Sequence, residues 1–247
     1  MKKKIVMFQL LFCVLFYGQS WEVGYKYEVK NSILNKFFEF PATLKLDKKG
    51  QKLYSVQFGI GEQVRENSSN TTFSLIDKSS YLYVLYSNED ALHIIGDEIN
   101  GKKYLFSDVF LPIKYKITGE KKVINKVELT RAEAEFRGRK YIIWLDMSSS
   151  IQGGPWKFTN LPGIAYEIYD EDNLFRWSLN SIKKLNVDIK NPFNSTEFKK
   201  ESLPYTEYPK LKYTSSVFFG NGTKSTSSYR KVEQNRDGLE KSFEWEN

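Results

Sequence analysis

Residues 136–170, FRGRKYIIWLDMSSSIQGGPWKFTNLPGIAYEIYD, decide the fold. Arg137-Gly138-Arg139 separates two runs of alternating apolar residues, Ala132, Ala134, Phe136 and Tyr141, Ile143, Leu145. Gly138 therefore stands where a tight β-hairpin needs positive φ. The second strand ends near Asp146, and the polar Met147–Ser150 segment leads into Gly153, Gly154 and Pro155, which forbid a continued ladder. Trp156, Phe158 and Leu161 alternate inside the loop that follows, so the loop is expected to fold back and pack these side chains on the sheet. Leu161-Pro162-Gly163-Ile164 then reads as a type II turn, with Pro162 at its second position and a positive-φ glycine, Gly163, at its third. Ile164, Tyr166 and Ile168 restart a strand.

Strands continue on both sides. Trp21, Val23, Tyr25, Tyr27 and Val29 share one face of a half-buried strand, with Glu22, Lys26 and Glu28 on the other. The same period appears in Tyr54–Ile60 and in Leu111, Ile113, Tyr115, Ile117. Shorter runs occupy Phe73–Ile76, Tyr81–Tyr86, Leu92–Ile95 and Lys103–Phe106. After the loop, Leu174–Leu179 and Ile182–Ile189 extend the sheet. Turn clusters at 48–51, 66–70 and 99–102 separate these runs. No long window before residue 190 carries an apolar stripe at helical period. The expected fold is mainly β: one strongly curved antiparallel sheet or half-open barrel over residues 21–190. A proline-interrupted, polar segment, 191–247, is read as a loosely attached tail, with a short helix over Thr196–Glu201.

At Asn160-Leu161-Pro162-Gly163-Ile164 the chain resembles the GLPGLI proteins of bacteroidetes-type bacteria. The flanks match as well: the Arg137-Gly138-Arg139 hairpin, Trp144, the run Gly154-Pro155-Trp156-Lys157-Phe158 and the closing Asp170. Asn160 replaces the leading glycine, Ile164 follows Gly163 where leucine is usual, and Leu129 stands where many members carry cysteine. The resemblance covers residues 125–185. It implies an exported protein of uncharacterised function and transfers no catalytic residue.

Lys2, Lys3 and Lys4, an apolar run from Ile5 to Tyr17 and the small residues Gly18 and Ser20 read as a secretory signal peptide over residues 1–20, cleaved before Trp21. The apolar run is too short to span a bilayer, and no other is long enough. Removing the signal takes three lysines and no acid, so the formal charge falls from +7 to +4, too mild for a nucleic-acid role. Cys13, the single cysteine, leaves with the signal, and Phe12 stands before it where lipidation needs a small residue. The mature chain thus has no thiol for a disulfide, nucleophile or metal site, and no cofactor is implied. The chain is expected to be exported, whether to the periplasm, to the outer membrane or into the medium.

Candidate chemistry is sparse. His93 is the only histidine and reads as an ordinary strand residue. Asp170-Glu171-Asp172-Asn173 reads as a solvated turn rather than a calcium loop, because Leu174 and Phe175 follow where oxygen donors should continue. The sequons at Asn67, Asn70, Asn194 and Asn221 read as loop chemistry. The 18 Phe, 16 Tyr and 5 Trp either fill a large core or line a cavity. The leading expectation is a non-enzymatic binding or chaperone-like module whose aromatic concave face takes an apolar or peptide ligand, with Arg137, Arg139, Trp144, Trp156, Phe158 and Asp170 as binding residues. Two alternatives stand beside it: a hydrolase using carboxylates such as Glu167 and Asp170, and a structural module docking by a strand edge on an outer-membrane protein.

Overall fold

Period-two alternation produces one large sheet. The computed structural model describes residues 19–31, 34–58, 80–87, 92–99, 101–186, 188–194, 202–219, 228–233, 235–236 and 238–246. Residues 1–18 of the expected signal, the run 73–76, the helix expected over 196–201 and the sequons at Asn67, Asn70 and Asn221 lie outside them. The strands are β1 Ser20–Asn31, β2 Lys36–Leu46, β3 Lys52–Phe58, β4 Ser80–Ser87, β5 Leu92–Ile99, β6 Lys102–Asp108, β7 Tyr115–Ile124, β8 Val127–Phe136, β9 Arg139–Asp146, β10 Ile164–Asp170, β11 Phe175–Leu185 and the short β12 Leu203–Pro204. They form one sheet in the order β12-β6-β5-β4-β3-β2-β1-β11-β10-β9-β8-β7. All pairs are antiparallel except β12 with β6, which makes the sheet mixed. A separate hairpin pairs β13 Thr214–Phe219 with β14 Ser228–Glu233. Among the described residues the one α-helix is α1, Tyr208–Tyr213, with Pro209 in its first turn, where a missing N–H costs nothing. No helix among them is long and apolar enough to cross a membrane.

The sheet curls without closing. β6 and β9 stand eight places apart in the strand order, roughly 38 Å in a flat sheet at the usual strand spacing. Yet the Asp108 carboxylate at the end of β6 lies 2.8 Å from the guanidinium of Arg137 in the β8–β9 turn. The two ends of the sheet therefore face each other, while β7 pairs only with β8 and β6 with β5 and β12. The free edge, β7, carries Lys116, Lys121 and Lys122 and a register shift between Ile117 and Lys121. Lysines and a bulge are what keep an exposed edge from recruiting another strand.

The inside of the curl is the core. Tyr27 and Trp177 stack at 4.8 Å, and the Trp177 indole N–H donates to the Tyr54 hydroxyl at 2.9 Å. The Gly-Pro loop fills the remaining space: Trp156 and Phe158 are buried against Phe136, Tyr141 and Trp177. On the outside of β3–β5, Leu53 and Leu85 are covered by Phe193 and Ile189.

Several expectations change. β2 was not visible as a strand, since Phe37-Phe38 and Pro41 interrupt its alternation. Pro41 is tolerated because β2 pairs with β3 only from Ala42 onward. β7 starts at Tyr115, not Leu111; Pro112 cannot donate to a ladder, and Val109 and Leu111 are left exposed. The tail is not loose: Tyr205, Tyr213, Glu240 and Phe243 are buried, drawn in by aromatic and ionic partners on the sheet. The concave face is not open either, because the chain's own Trp156 and Phe158 occupy it.

Gly163 needs a different reason from the expected one. It does not adopt positive φ, so Leu161–Ile164 is not a type II turn. A Cβ at this position would lie 2.2 Å from the Asp146 carbonyl oxygen. Glycine is required there by close backbone approach, not by a left-handed conformation.

Candidate functional site: a buried ion cluster holding a peptide segment

Phe136 pairs with Arg139, leaving Arg137 and Gly138 as a two-residue turn with φ of 44° and 76°. Two positive φ values mark a type I′ turn, as the hairpin expectation required for Gly138. For Arg137 the conformation is strained, and it turns the side chain into the mouth of the curl rather than into solvent. Its Nη1 and Nη2 donate to the two Asp108 oxygens at 2.8 Å each, Nη1 also donates to Glu240 at 2.6 Å, and Nε donates to Glu244 at 3.1 Å. The rings of Phe110, Phe136, Tyr205, Phe243 and Trp245 surround the guanidinium at 5.1–5.3 Å.

Lys157 enters the same cluster from the loop, where Trp156, itself at φ 56°, turns the chain. Its ammonium donates to Asp108 and Glu240 at 2.6 Å each and sits 4.0 Å from the Tyr205 ring centre. The Tyr205 hydroxyl donates to the second Glu240 oxygen at 2.5 Å. Two cations and two carboxylates thus balance, with side chains between 0% and 4% exposed. Burial alone would raise the Asp108 pKa, but the Lys157 and Arg137 charges outweigh it and hold the carboxyl below its ordinary value. Burial, reinforced by Glu240, pushes the Tyr205 hydroxyl well up, so it stays a proton donor.

Glu240 belongs to a segment that crosses the hairpin without joining the sheet. Arg139 Nε donates to the Gly238 carbonyl and the Tyr141 hydroxyl to the Leu239 carbonyl, both at 2.7 Å; the Tyr213 hydroxyl reaches the Glu240 carbonyl at 3.4 Å. The amides of Lys241 and Ser242 donate to the Arg137 carbonyl at 2.8 and 3.2 Å. A Cβ at Gly138 would lie 2.7 Å from Ser242 Oγ, so that glycine also makes room for the segment. Arg139 is itself seated by Asp170 at 2.7 Å. Asp170 is buried, not solvated as expected, and accepts from the amides of Leu174 and Phe175.

Five of the six expected binding residues converge on this inner side: Arg137, Arg139 and Asp170 around the hairpin, Trp156 and Phe158 beneath it. Trp144 does not. It lies on the outer face with Lys122 4.3 Å above its ring, and Lys122 pairs with Glu167. Glu167 and Asp170 therefore occupy opposite faces, each bound to its own cation, and do not form a catalytic pair. His93 stacks on Phe110 at 4.5 Å and faces Thr159 Oγ1 at 3.5 Å; burial and the Lys157 charge lower its pKa to about 3, which keeps it neutral. Lys52 donates to the Thr159 carbonyl, and burial lowers its pKa to about 8. An open groove of about 500 Å³ lies along β7–β9 between Lys114, Lys116, Glu133, Lys140 and Glu171. Among the described residues no group of three or more His, Cys, Asp or Glu side chains is arranged to hold a metal ion.

Asp108, Lys157 and Glu240 were missed as site residues. Asp108 had a signal, since it continues the inward register of Tyr104 and Phe106, and a carboxylate in that register requires a cation. Lys157, between two buried aromatics, had a weaker one. Glu240 had none, lying in a uniformly polar run.

No protein-family model matches the chain, and no curated protein does. Among solved structures it is similar to PNGF-II in two crystal forms, each with 13% identity and a TM-score of 0.49, covering 83% and 84% of this chain. The chain spans only 35% and 38% of those PNGF-II chains. It is also similar to a domain from Vibrio parahaemolyticus assigned to outer membrane lipoprotein sorting, with 9% identity, a TM-score of 0.26, and coverage of 74% of this chain and 92% of that one.

Proposed function

We propose that this is an exported cell-envelope protein of the GLPGLI kind that acts by binding an extended peptide segment rather than by catalysis. The peptide form of the sequence expectation gains over the apolar-ligand form, because the concave face is filled by the protein's own loop. One observation carries the reading: residues 238–243 are held at the hairpin through successive main-chain carbonyls, two main-chain amides and one buried carboxylate. That is how receptors hold extended peptides, with main-chain contacts for affinity and a few side-chain seats for choice. Export is supported by the lysine-led apolar leader. Native mass spectrometry of the protein purified from its own envelope tests the whole reading. The expected result is a mature, unlipidated chain beginning near Trp21 with a peptide or protein partner attached. A chain retaining residues 1–20, or one that arrives alone and turns over a substrate, overturns it.

A further inference from the structure

We infer that the hairpin site recognises an acidic peptide carrying an aromatic residue three positions after its carboxylate, and that the chain's own Gly238–Phe243 occupies it as a displaceable internal ligand. The inference rests on the binding reading above and gives it a ligand class and a regulation. The segment is seated as a ligand would be. Its carbonyls at Gly238, Leu239 and Glu240 accept from Arg139, Tyr141 and Tyr213, contacts that any sequence could supply. Choice is exercised chiefly at two buried positions, since Lys241 adds only an exposed pair with Asp172 and Gly238 only a close approach to the Tyr213 hydroxyl. The Glu240 carboxylate enters the seat of Arg137, Lys157 and Tyr205, and the Phe243 ring packs on Tyr205 at 6.0 Å beneath the Arg137 guanidinium.

Charge explains why the seat selects an acid. Without Glu240, the buried cations of Arg137 and Lys157 face Asp108 alone, with Glu244 only at the exposed rim. A vacated seat thus carries an unbalanced buried positive charge, which no neutral or basic side chain relieves. The contacts of the segment with Arg137, Arg139, Tyr141, Lys157, Tyr205 and Tyr213 are reproduced one for one by a peptide of the same pattern, so exchange loses the advantage of the tether and the bonds of Lys241 and Phe243 to their neighbours Arg236 and Glu246. Tethering acts as a local concentration on the order of millimolar. The internal segment therefore keeps weak acidic peptides out and yields to a partner that binds better or to a weakened tether. Strain at Arg137 and Trp156, both at positive φ, marks the same place as held for a purpose.

The test uses the full chain and a labelled, end-blocked peptide of sequence Gly-Leu-Glu-Lys-Ser-Phe. Glu240→Gln protein is expected to bind it at least tenfold more tightly than the unaltered protein, and to lose that binding when the peptide carries Gln for Glu or Ala for Phe. Equal binding of the Glu and Gln peptides, or none to the variant, overturns the inference. If Glu240→Gln does not fold, hydrogen exchange at the Lys241 and Ser242 amides of the unaltered protein gives the answer: millimolar peptide should speed exchange several-fold, and unchanged rates overturn the proposal. A variant that dimerises by exchanging its own segment and ignores the peptide also overturns it. An apolar ligand recovered from the envelope together with indifference to the peptide defeats this inference and leaves a binding function standing.

Discussion

The inner and outer sides of the β8–β9 hairpin meet the same residue types in opposite circumstances. Inside, Arg137, Lys157, Asp108 and Glu240 are at most 4% exposed and bonded to one another at 2.6–2.8 Å. Outside, Arg131 pairs with Glu120 and Glu133, whose side chains are 57% and 41% exposed. Water screens and competes with the outer pairs, so each contributes little. In the inner cluster no charge can be removed singly without leaving its partner stranded in a medium that does not solvate it. The lesson is that a count of ion pairs says little here, and position relative to the curl says almost everything.

The largest break is expected from Arg137→Met, which leaves two buried carboxylates facing Lys157 alone. Urea denaturation should show a loss of about 3–5 kcal/mol; a loss below about 1 kcal/mol would equate the two faces. Next comes Gly163→Val, which drives a side chain into the Asp146 carbonyl. Overpacking of this kind should cost about 2–3 kcal/mol, and near-normal stability would show that the loop is not what fixes Lys157. Acid gives a third, graded effect. His93 has a folded pKa of about 3, below its ordinary 6.5, so the unfolded chain takes up its proton first and stability falls as pH drops below 6.5. Denaturation at pH 6.5 and pH 5 should differ by about 2 kcal/mol on this account, and His93→Phe should lose that part of the slope. The smallest effect is expected from Glu120→Gln on the outer face, within about 0.5 kcal/mol; a loss of the inner-cluster size would erase the contrast.

Alternation revealed most of the sheet, because each strand buries one face and its pattern is local. Gly138 was legible for the same reason: a two-residue hairpin turn states its own φ requirement. Trp156 and Phe158 betrayed their burial by alternating inside a loop. β2 stayed hidden because two adjacent phenylalanines and Pro41 spoil the period, and only pairing with β1 makes the segment a strand. Of the charge cluster only Arg137 was read from the sequence, although Asp108 also carried a signal. Asp108 follows the inward register of β6, but its cationic partners Arg137 and Lys157 lie 29 and 49 positions away in sequence, and Glu240, which shares both cations with it, lies farther still. Such closure is a property of how far the sheet bends, which no short window of residues encodes. The Gly163 requirement was visible in kind and mistaken in cause, since close backbone approach leaves no mark on the local turn sequence.

Glu240 lies far beyond β11 in the sequence, and this sets the order of events in assembly. Strands β1 to β11 emerge during synthesis with Arg137 and Lys157 still awaiting their second anion. Until Glu240 appears, two buried-to-be cations share one carboxylate, and the mouth of the curl has no stable closed form. Closure therefore waits on Glu240: a chain that stops before that residue leaves the mouth of the curl unsealed and open to proteases.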